Sequence, residues 1–209
     1  MPEGLSSENK TKANTKKISD KLEFAQNRPV ANRSIEQYED YLKIPITKEF
    51  LGENVLDLGS GLLGYVAKEA AKRGVKIFSL SPDFSNPGLK NYIKEIRADV
   101  AVSGLAQELP YKNDVFDSVL SVWAIPVHLP RTEHDHIQSF AEIIRVLKPG
   151  GKAFLSPVNN PEYLAGVDYD IDAIKKMGAS VEQRPISAKE ANGTCIDSML
   201  IITKPEKSK

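Results

Sequence analysis

The stretch richest in potential chemistry is Val55-Leu56-Asp57-Leu58-Gly59-Ser60-Gly61-Leu62-Leu63-Gly64-Tyr65, an apolar run that ends in a glycine-rich turn. A helix-like segment, Val66 to Arg73, follows directly. A strand that turns tightly into a helix sets backbone N–H groups beside the positive end of the helix dipole. Gly59 and Gly61 carry no Cβ, so a flat ligand can come close to the main chain. The turn therefore predicts a nucleotide- or nucleoside-binding α/β domain. Gly59-x-Gly61-x-x-Gly64 also matches the dinucleotide fingerprint, which wants an acidic residue about 20 positions on to hold a ribose. Ser79 occupies that place. All three histidines, His128, His134 and His136, fall close together. His134 and His136 are two apart and cannot share a helix face, so no metal site is expected.

The elements around these residues alternate strand with helix. Strands are expected at Val55–Leu58, Val75–Leu80, Asp99–Ser103, Val115–Val122 and Lys152–Ser156, with two more near Val181–Ile186 and Ile196–Thr203. A turn at Gly193 suggests that the last two pair antiparallel. Helices are expected at Leu63–Arg73, from Ser85 or Asn86 to Arg97, from Thr132 to Leu147, and weakly at Ile171–Met177. Pro149-Gly150-Gly151 supplies a sharp turn after the third of these helices. Before the first strand, Leu22, Phe24, Ile35, Tyr38, Tyr41 and Leu42 form an amphipathic pattern broken near Pro29 and stopped at Pro45. Residues 1–20 read as a disordered polar tail, and residues 21–209 as one domain with capping helices over 21–51. This order predicts a Rossmann-like doubly wound sheet of about seven strands, mostly parallel with a C-terminal antiparallel hairpin. Ligands on such sheets bind at the carboxyl ends of the strands.

Composition narrows the partners. The 209 residues carry 28 basic and 28 acidic side chains, a formal net charge of zero, which disfavours nucleic acid and anionic membranes as electrostatically driven partners. A single cysteine, Cys195, excludes an intramolecular disulfide framework and fits a reducing compartment. No apolar run approaches the roughly 20 residues needed to span a bilayer. The expectation is a cytoplasmic monomer or homodimer acting on a small molecule.

Several further stretches stand in a telling order: Leu80-Ser81-Pro82-Asp83, Glu108-Leu109-Pro110-Tyr111, Val115-Phe116-Asp117-Ser118-Val119, and Ile144-Arg145-Val146-Leu147-Lys148-Pro149-Gly150-Gly151-Lys152. With Val55–Gly61 they resemble the class I S-adenosylmethionine-dependent methyltransferases of small-molecule type, over about Val55 to Thr203. The resemblance implies S-adenosyl-L-methionine as cofactor, with Asp57, Gly59, Ser60 and Gly61 near its methionine and ribose. Leu63 stands where that family has its third glycine. Ser79 stands where an acidic residue usually takes both ribose hydroxyls, and Asp83 is the nearest carboxylate. Leu105 falls at the usual acidic contact to the adenine amine, where Ala106 offers its backbone.

The segment Ser121–Pro130 would then border the transferred methyl group, with Ser121 and Trp123 against the cofactor. His128 is the candidate base, because an imidazole titrates near neutral pH; the alternative is a structural loop histidine. Trp123 is read as packing beside the cofactor or as a substrate platform, Tyr38 and Tyr41 as part of a lid or as ordinary packing. Tyr65 either touches the ligand or faces solvent. Asp114 and Asp117 are assigned to structure, and Cys195 shows no sign of an activated thiol. The preferred function is methyl transfer to a small molecule. The competing readings are a catalytically inactive relative kept as a binding module, and, third, a NAD(P) oxidoreductase.

Overall fold

A computed structural model gives the structure of the protein and describes residues 33–61, 65–85, 101–129, 133–158, 167–190 and 193–207. The elements in chain order are α1 (Ile35–Leu42), α2 (Lys48–Leu51), β1 (Asn54–Leu58), α3 (Tyr65–Lys72), β2 (Lys76–Leu80), a 3-10 turn (Pro82–Ser85), β3 (Ala101–Val102), β4 (Phe116–Val122), α4 (Glu133–Val146), β5 (Leu147–Ser156), α5 (Val167–Lys176), β6 (Ser180–Glu190) and β7 (Gly193–Thr203). The polar tail, Leu22 and Phe24, the helix expected before Arg97 and the Thr132 cap lie outside the described residues. Among the described residues no helix is long and apolar enough to cross a membrane.

The seven strands form one sheet in the order β3-β2-β1-β4-β5-β7-β6. Neighbours are parallel from β3 to β5 and antiparallel from β5 to β6, the expected doubly wound sheet with its reversed pair. Strand order reverses between β1 and β4, so a crevice opens at the carboxyl ends of those two strands.

Two apolar layers sandwich the sheet. Leu56, Leu58, Val119 and Leu155 pack on one face with Phe140, Ile143 and Val146 of α4 and Ile174 of α5. Val55, Ile77, Leu120, Val122 and Phe154 pack on the other with Ile35, Tyr38, Tyr41 and Leu42 of α1 and Val66, Ala67 and Ala70 of α3. Side chains alternate along a strand, so Asp57, Ser79 and Ser156, each two residues beyond Val55, Ile77 and Phe154, point to the α1 face.

α1 is a well-specified helix. Ser34 and Gln37 form a reciprocal capping box, and the helix ends on Lys43 in the left-handed region, just before Ile44-Pro45. Its backbone and side chains are tied down on both sides. The Ile35 N–H donates to Glu69 at 2.9 Å, Arg73 pairs with Glu39 at 2.7 Å, and the Lys189 N–H of β6 donates to Asp40 at 2.6 Å.

Of the strand expected at Asp99–Ser103, Asp99 and Val100 lie outside the described residues and Ala101–Val102 forms β3. One detail differs from the sequence expectation: β5 begins at Leu147 rather than Lys152. Phe116 pairs with Leu147 and Ser118 with Lys152, so two steps along β4 face five along β5 and Lys148–Gly151 bulges out of the ladder. The turn expected at Pro149-Gly150-Gly151 is this bulge, with Gly150 at φ 75°.

Candidate functional site

The carboxyl end of β1 holds the most unusual group in the described chain. Asp57 is fully buried, and its carboxylate accepts from the Tyr38 hydroxyl at 2.9 and 3.1 Å. Burial pushes its carboxyl up to about 7, against the opposing pull of the Tyr38 hydrogen bond. The Tyr38 hydroxyl is itself pushed well above the usual phenol range, by burial first and by the Asp57 charge second. A cover helix thus places a hydrogen bond on the carboxylate it shields. The sequence places Tyr38 on the buried stripe of a helix; nothing local reveals a partner on a strand 19 residues away.

The glycine turn follows. Gly59 and Gly61 adopt φ 76° and 70°, the left-handed region open to glycine. A Cβ on Gly59 would collide with that of Ala124, so the turn also packs tightly on the segment after β4. The Gly59 and Ser60 N–H groups differ from expectation. They donate to the Leu80 carbonyl at 2.8 and 3.4 Å, which pins the turn to β2 and leaves neither free for a ligand. The Ser60 hydroxyl, by contrast, is buried without a hydrogen-bond partner among the described residues.

Ser79 sits directly across from Asp57 in the β1–β2 register and is fully buried. Its hydroxyl also lacks a partner among the described residues. Asp83 lies in the 3-10 turn after β2; its side chain is outside the described residues. Leu105 bridges to Glu108 and Ala106 is buried, so both stand in the turn that follows β3. Arg145 of α4 fixes the next stretch: it donates to the Leu109 and Tyr111 carbonyls at 3.0 and 2.7 Å, while its partner Glu142 accepts from the Leu109 N–H at 2.7 Å.

After β4, Ser121 acts as a brace. Its hydroxyl donates to the Leu58 carbonyl at 3.2 Å and accepts from the Ile125 N–H at 2.9 Å. Trp123 stands at φ 57° with its N–H on the Ser156 carbonyl at 2.7 Å, and its ring meets Tyr41 edge to face. His128 is half-buried and closes a turn through its N–H on the Ala124 carbonyl at 2.7 Å. Tyr65 opens α3 and is exposed.

The structure thus gathers Asp57, Ser60, Ser79 and Trp123 at the carboxyl edge of the sheet, with α1 set on Asp57 through Tyr38 and on Trp123 through Tyr41. Asp114 and Asp117 stand apart as structural groups. Asp114 pairs with Lys204 at 2.7 Å. Asp117 accepts from the Glu53 and Asn54 N–H groups and from Lys148.

Comparison with known proteins agrees with this architecture. Residues 56–155 match the profile of a methyltransferase domain family. An uncharacterized protein of Methanocaldococcus jannaschii is 31% identical over 162 residues, 70% of this chain and 54% of its own length. The ubiquinone/menaquinone biosynthesis C-methyltransferase of Vibrio vulnificus is 29% identical over 62% of this chain and 52% of its own length. The chain therefore spans about half the length of these curated relatives. A phosphoethanolamine N-methyltransferase of Haemonchus contortus, solved in complex with S-adenosyl-L-methionine, has the same fold. Its TM-score is 0.59 at 17% identity, over 99% of this chain and 62% of that one. Residues 56–155, just under half of the chain, are thus similar to a methyltransferase domain, and the sheet has the fold of the S-adenosyl-L-methionine-bound enzyme.

Proposed function

We propose that the protein is an S-adenosylmethionine-dependent methyltransferase acting on a small molecule. The observation that carries this reading is the pair of buried hydroxyls of Ser60 and Ser79, without a hydrogen-bond partner among the described residues, with Ser79 directly across from the buried Asp57. An unsatisfied buried hydroxyl costs about 1–3 kcal/mol, and a polyhydroxylated ligand relieves that cost. The residues present fit a nucleoside cofactor. Gly59–Gly61 and Asp57 would hold its methionine and ribose part, Ser79 the ribose hydroxyls, and the Leu105–Ala106 turn its adenine. Ser79 offers one hydroxyl where a carboxylate would offer two acceptor oxygens, so each lost charge-assisted bond weakens binding about tenfold or more.

S-adenosylmethionine supplies a methyl group on a positively charged sulfonium. The chain's part is to align and to dehydrate. α1 closes the α1 face of the sheet over Asp57, and the Ser121 brace fixes the loop after β4 against the end of β1. Most of the rate advantage in a direct displacement comes from such alignment. We assign proton removal from the acceptor to the imidazole of His128. His128→Gln then lowers kcat by about 10²–10⁴-fold with the cofactor affinity kept.

Isothermal titration with S-adenosylmethionine and S-adenosylhomocysteine, with NAD(H) as control, tests the reading. Micromolar binding of the first two is expected. A folded protein that gives no heat with either into the millimolar range would sink it and leave only the fold, and binding of NAD(H) alone would move the function to a dinucleotide enzyme.

A further inference from the structure

The α1 face of the sheet carries a second set of buried polar atoms, at the carboxyl ends of β4 and β5. Tyr41 is fully buried, yet its hydroxyl has no hydrogen-bond partner among the described residues. The same holds for the indole Nε1 of Trp123 and for the hydroxyl of fully buried Ser156. The three residues adjoin one another. Tyr41 and Trp123 meet edge to face with ring centroids 6.2 Å apart, and the Trp123 backbone N–H donates to the Ser156 backbone carbonyl at 2.7 Å. Trp123 holds this place with φ 57°, a costly conformation for a bulky residue and one that concentrates at functional sites. The Arg33 guanidinium carbon lies 5.8 Å from both ring centroids, so a permanent positive charge stands beside the group.

The chemistry of the set has a sign. Indole and guanidinium only donate hydrogen bonds, and the two hydroxyls donate when offered an acceptor. The matching partner is an acceptor-only, negatively charged oxygen. A cationic acceptor group would meet the Arg33 charge, which already lies over both rings. We infer that Tyr41 Oη, Trp123 Nε1 and Ser156 Oγ, beside Arg33, form a subsite for an anionic oxygen of the methyl acceptor, a carboxylate or a phosphate monoester. This rests on the methyltransferase reading and adds to it the charge of the substrate and the place where that charge docks.

Trp123 is the single tryptophan of the chain, so one indole N–H resonance reports on the subsite. The full chain is titrated with benzoate, phenyl phosphate, benzamide and benzylamine, with and without S-adenosylhomocysteine, whose own affinity is measured by calorimetry on the same sample. A saturable shift of the indole resonance is expected with benzoate or phenyl phosphate, and which of the two binds tighter separates carboxylate from phosphate. Benzamide and benzylamine bind at least about tenfold more weakly. Arg33→Gln weakens the anions about tenfold or more, and Ser156→Ala weakens them while leaving the fold intact, because the hydroxyl it removes bonds to nothing among the described residues. An indole resonance that stays still with both anions overturns the inference. So does a stronger response to benzylamine, or anion binding that both variants leave unchanged. S-adenosylhomocysteine binding with a silent indole defeats the subsite alone. Absent S-adenosylhomocysteine binding defeats the function proposed above, and anion shifts seen in that case overturn the assignment to a methyl acceptor.

Discussion

A carboxyl group with no exposed surface sits at the end of β1, and its ionisation works against folding. Asp57 has an ordinary value of 3.8 and is pushed up to about 7 in the folded chain by burial. Below pH 3.8 it is neutral in both states and costs nothing; above about 7 it is ionised in both, and the folded state bears the desolvation. Its stabilising share is thus lost as pH rises between those limits, at about 1.36 kcal/mol per unit and so up to about 4 kcal/mol in all. Asp57→Asn keeps an acceptor for Tyr38 and removes the charge. Urea unfolding across that pH range is expected to show a flatter profile for the variant, with a gain over the parent at about pH 8. Equal slopes in the two proteins would refute this account. Tyr38→Phe acts in the reverse sense. Loss of the hydroxyl leaves the carboxylate unpartnered, raises its pKa further and destabilises the protein by about 1.5–3 kcal/mol, most at alkaline pH. At Gly59 the argument is steric. Gly59→Ala combines a positive φ with a collision against Ala124, and Ala124→Gly in that background is expected to recover the steric part of the loss but not the backbone part.

Among the elements, the sequence carried most of the sheet because each buried strand is an apolar run bounded by turn residues, and α4 because its apolar residues recur at helical spacing. What was not legible depends on contacts between distant segments. Two examples are the hydrogen bond from Tyr38 to Asp57 and the pinning of the glycine turn to Leu80. Ser156 belongs with them, since a strand-end serine carries no local signal of the residues it will face. The Lys148–Gly151 bulge was legible as a turn but not as part of a strand, because its register depends on β4. Asp117 shows the opposite case, a motif residue whose work is at the start of β1, opposite the carboxyl edge of the sheet. One carboxylate there joins the start of β1, through the Glu53 and Asn54 N–H groups, to the Lys148 bulge. These contacts hold its carboxyl below the usual range despite partial burial, so its stabilising share is lost as pH falls. Asp117→Ala leaves two N–H groups and a lysine without this acceptor, and a loss of about 1–3 kcal/mol in denaturant melts is expected. Affinity for S-adenosylhomocysteine should stay within about twofold; a large drop would place Asp117 in the ligand's machinery.

For the whole molecule, the cover helix and the sheet edge act as one unit. α1 is tied to α3 through Glu69 and Arg73 and to β6 through Lys189, and it sets Tyr38 on Asp57 and Tyr41 beside Trp123. A ligand that binds between them stabilises the folded chain by mass action, about 2.7 kcal/mol at a hundredfold excess over Kd. In a protein of this size each kcal/mol moves Tm by about 2–4 °C, so S-adenosylhomocysteine at that excess should raise Tm by about 5–10 °C. The two aspartates then separate stability from binding in one thermal-shift series. Asp117→Ala starts from a lower Tm and keeps the full ligand-induced rise. Asp57→Asn starts at or above the parent near pH 8 and loses most of the rise at the same ligand concentration. A full rise in Asp57→Asn would remove the β1 carboxyl from the binding site. The absence of a rise in the parent itself, with calorimetry equally silent, would mean that the fold is kept for a purpose other than holding this cofactor.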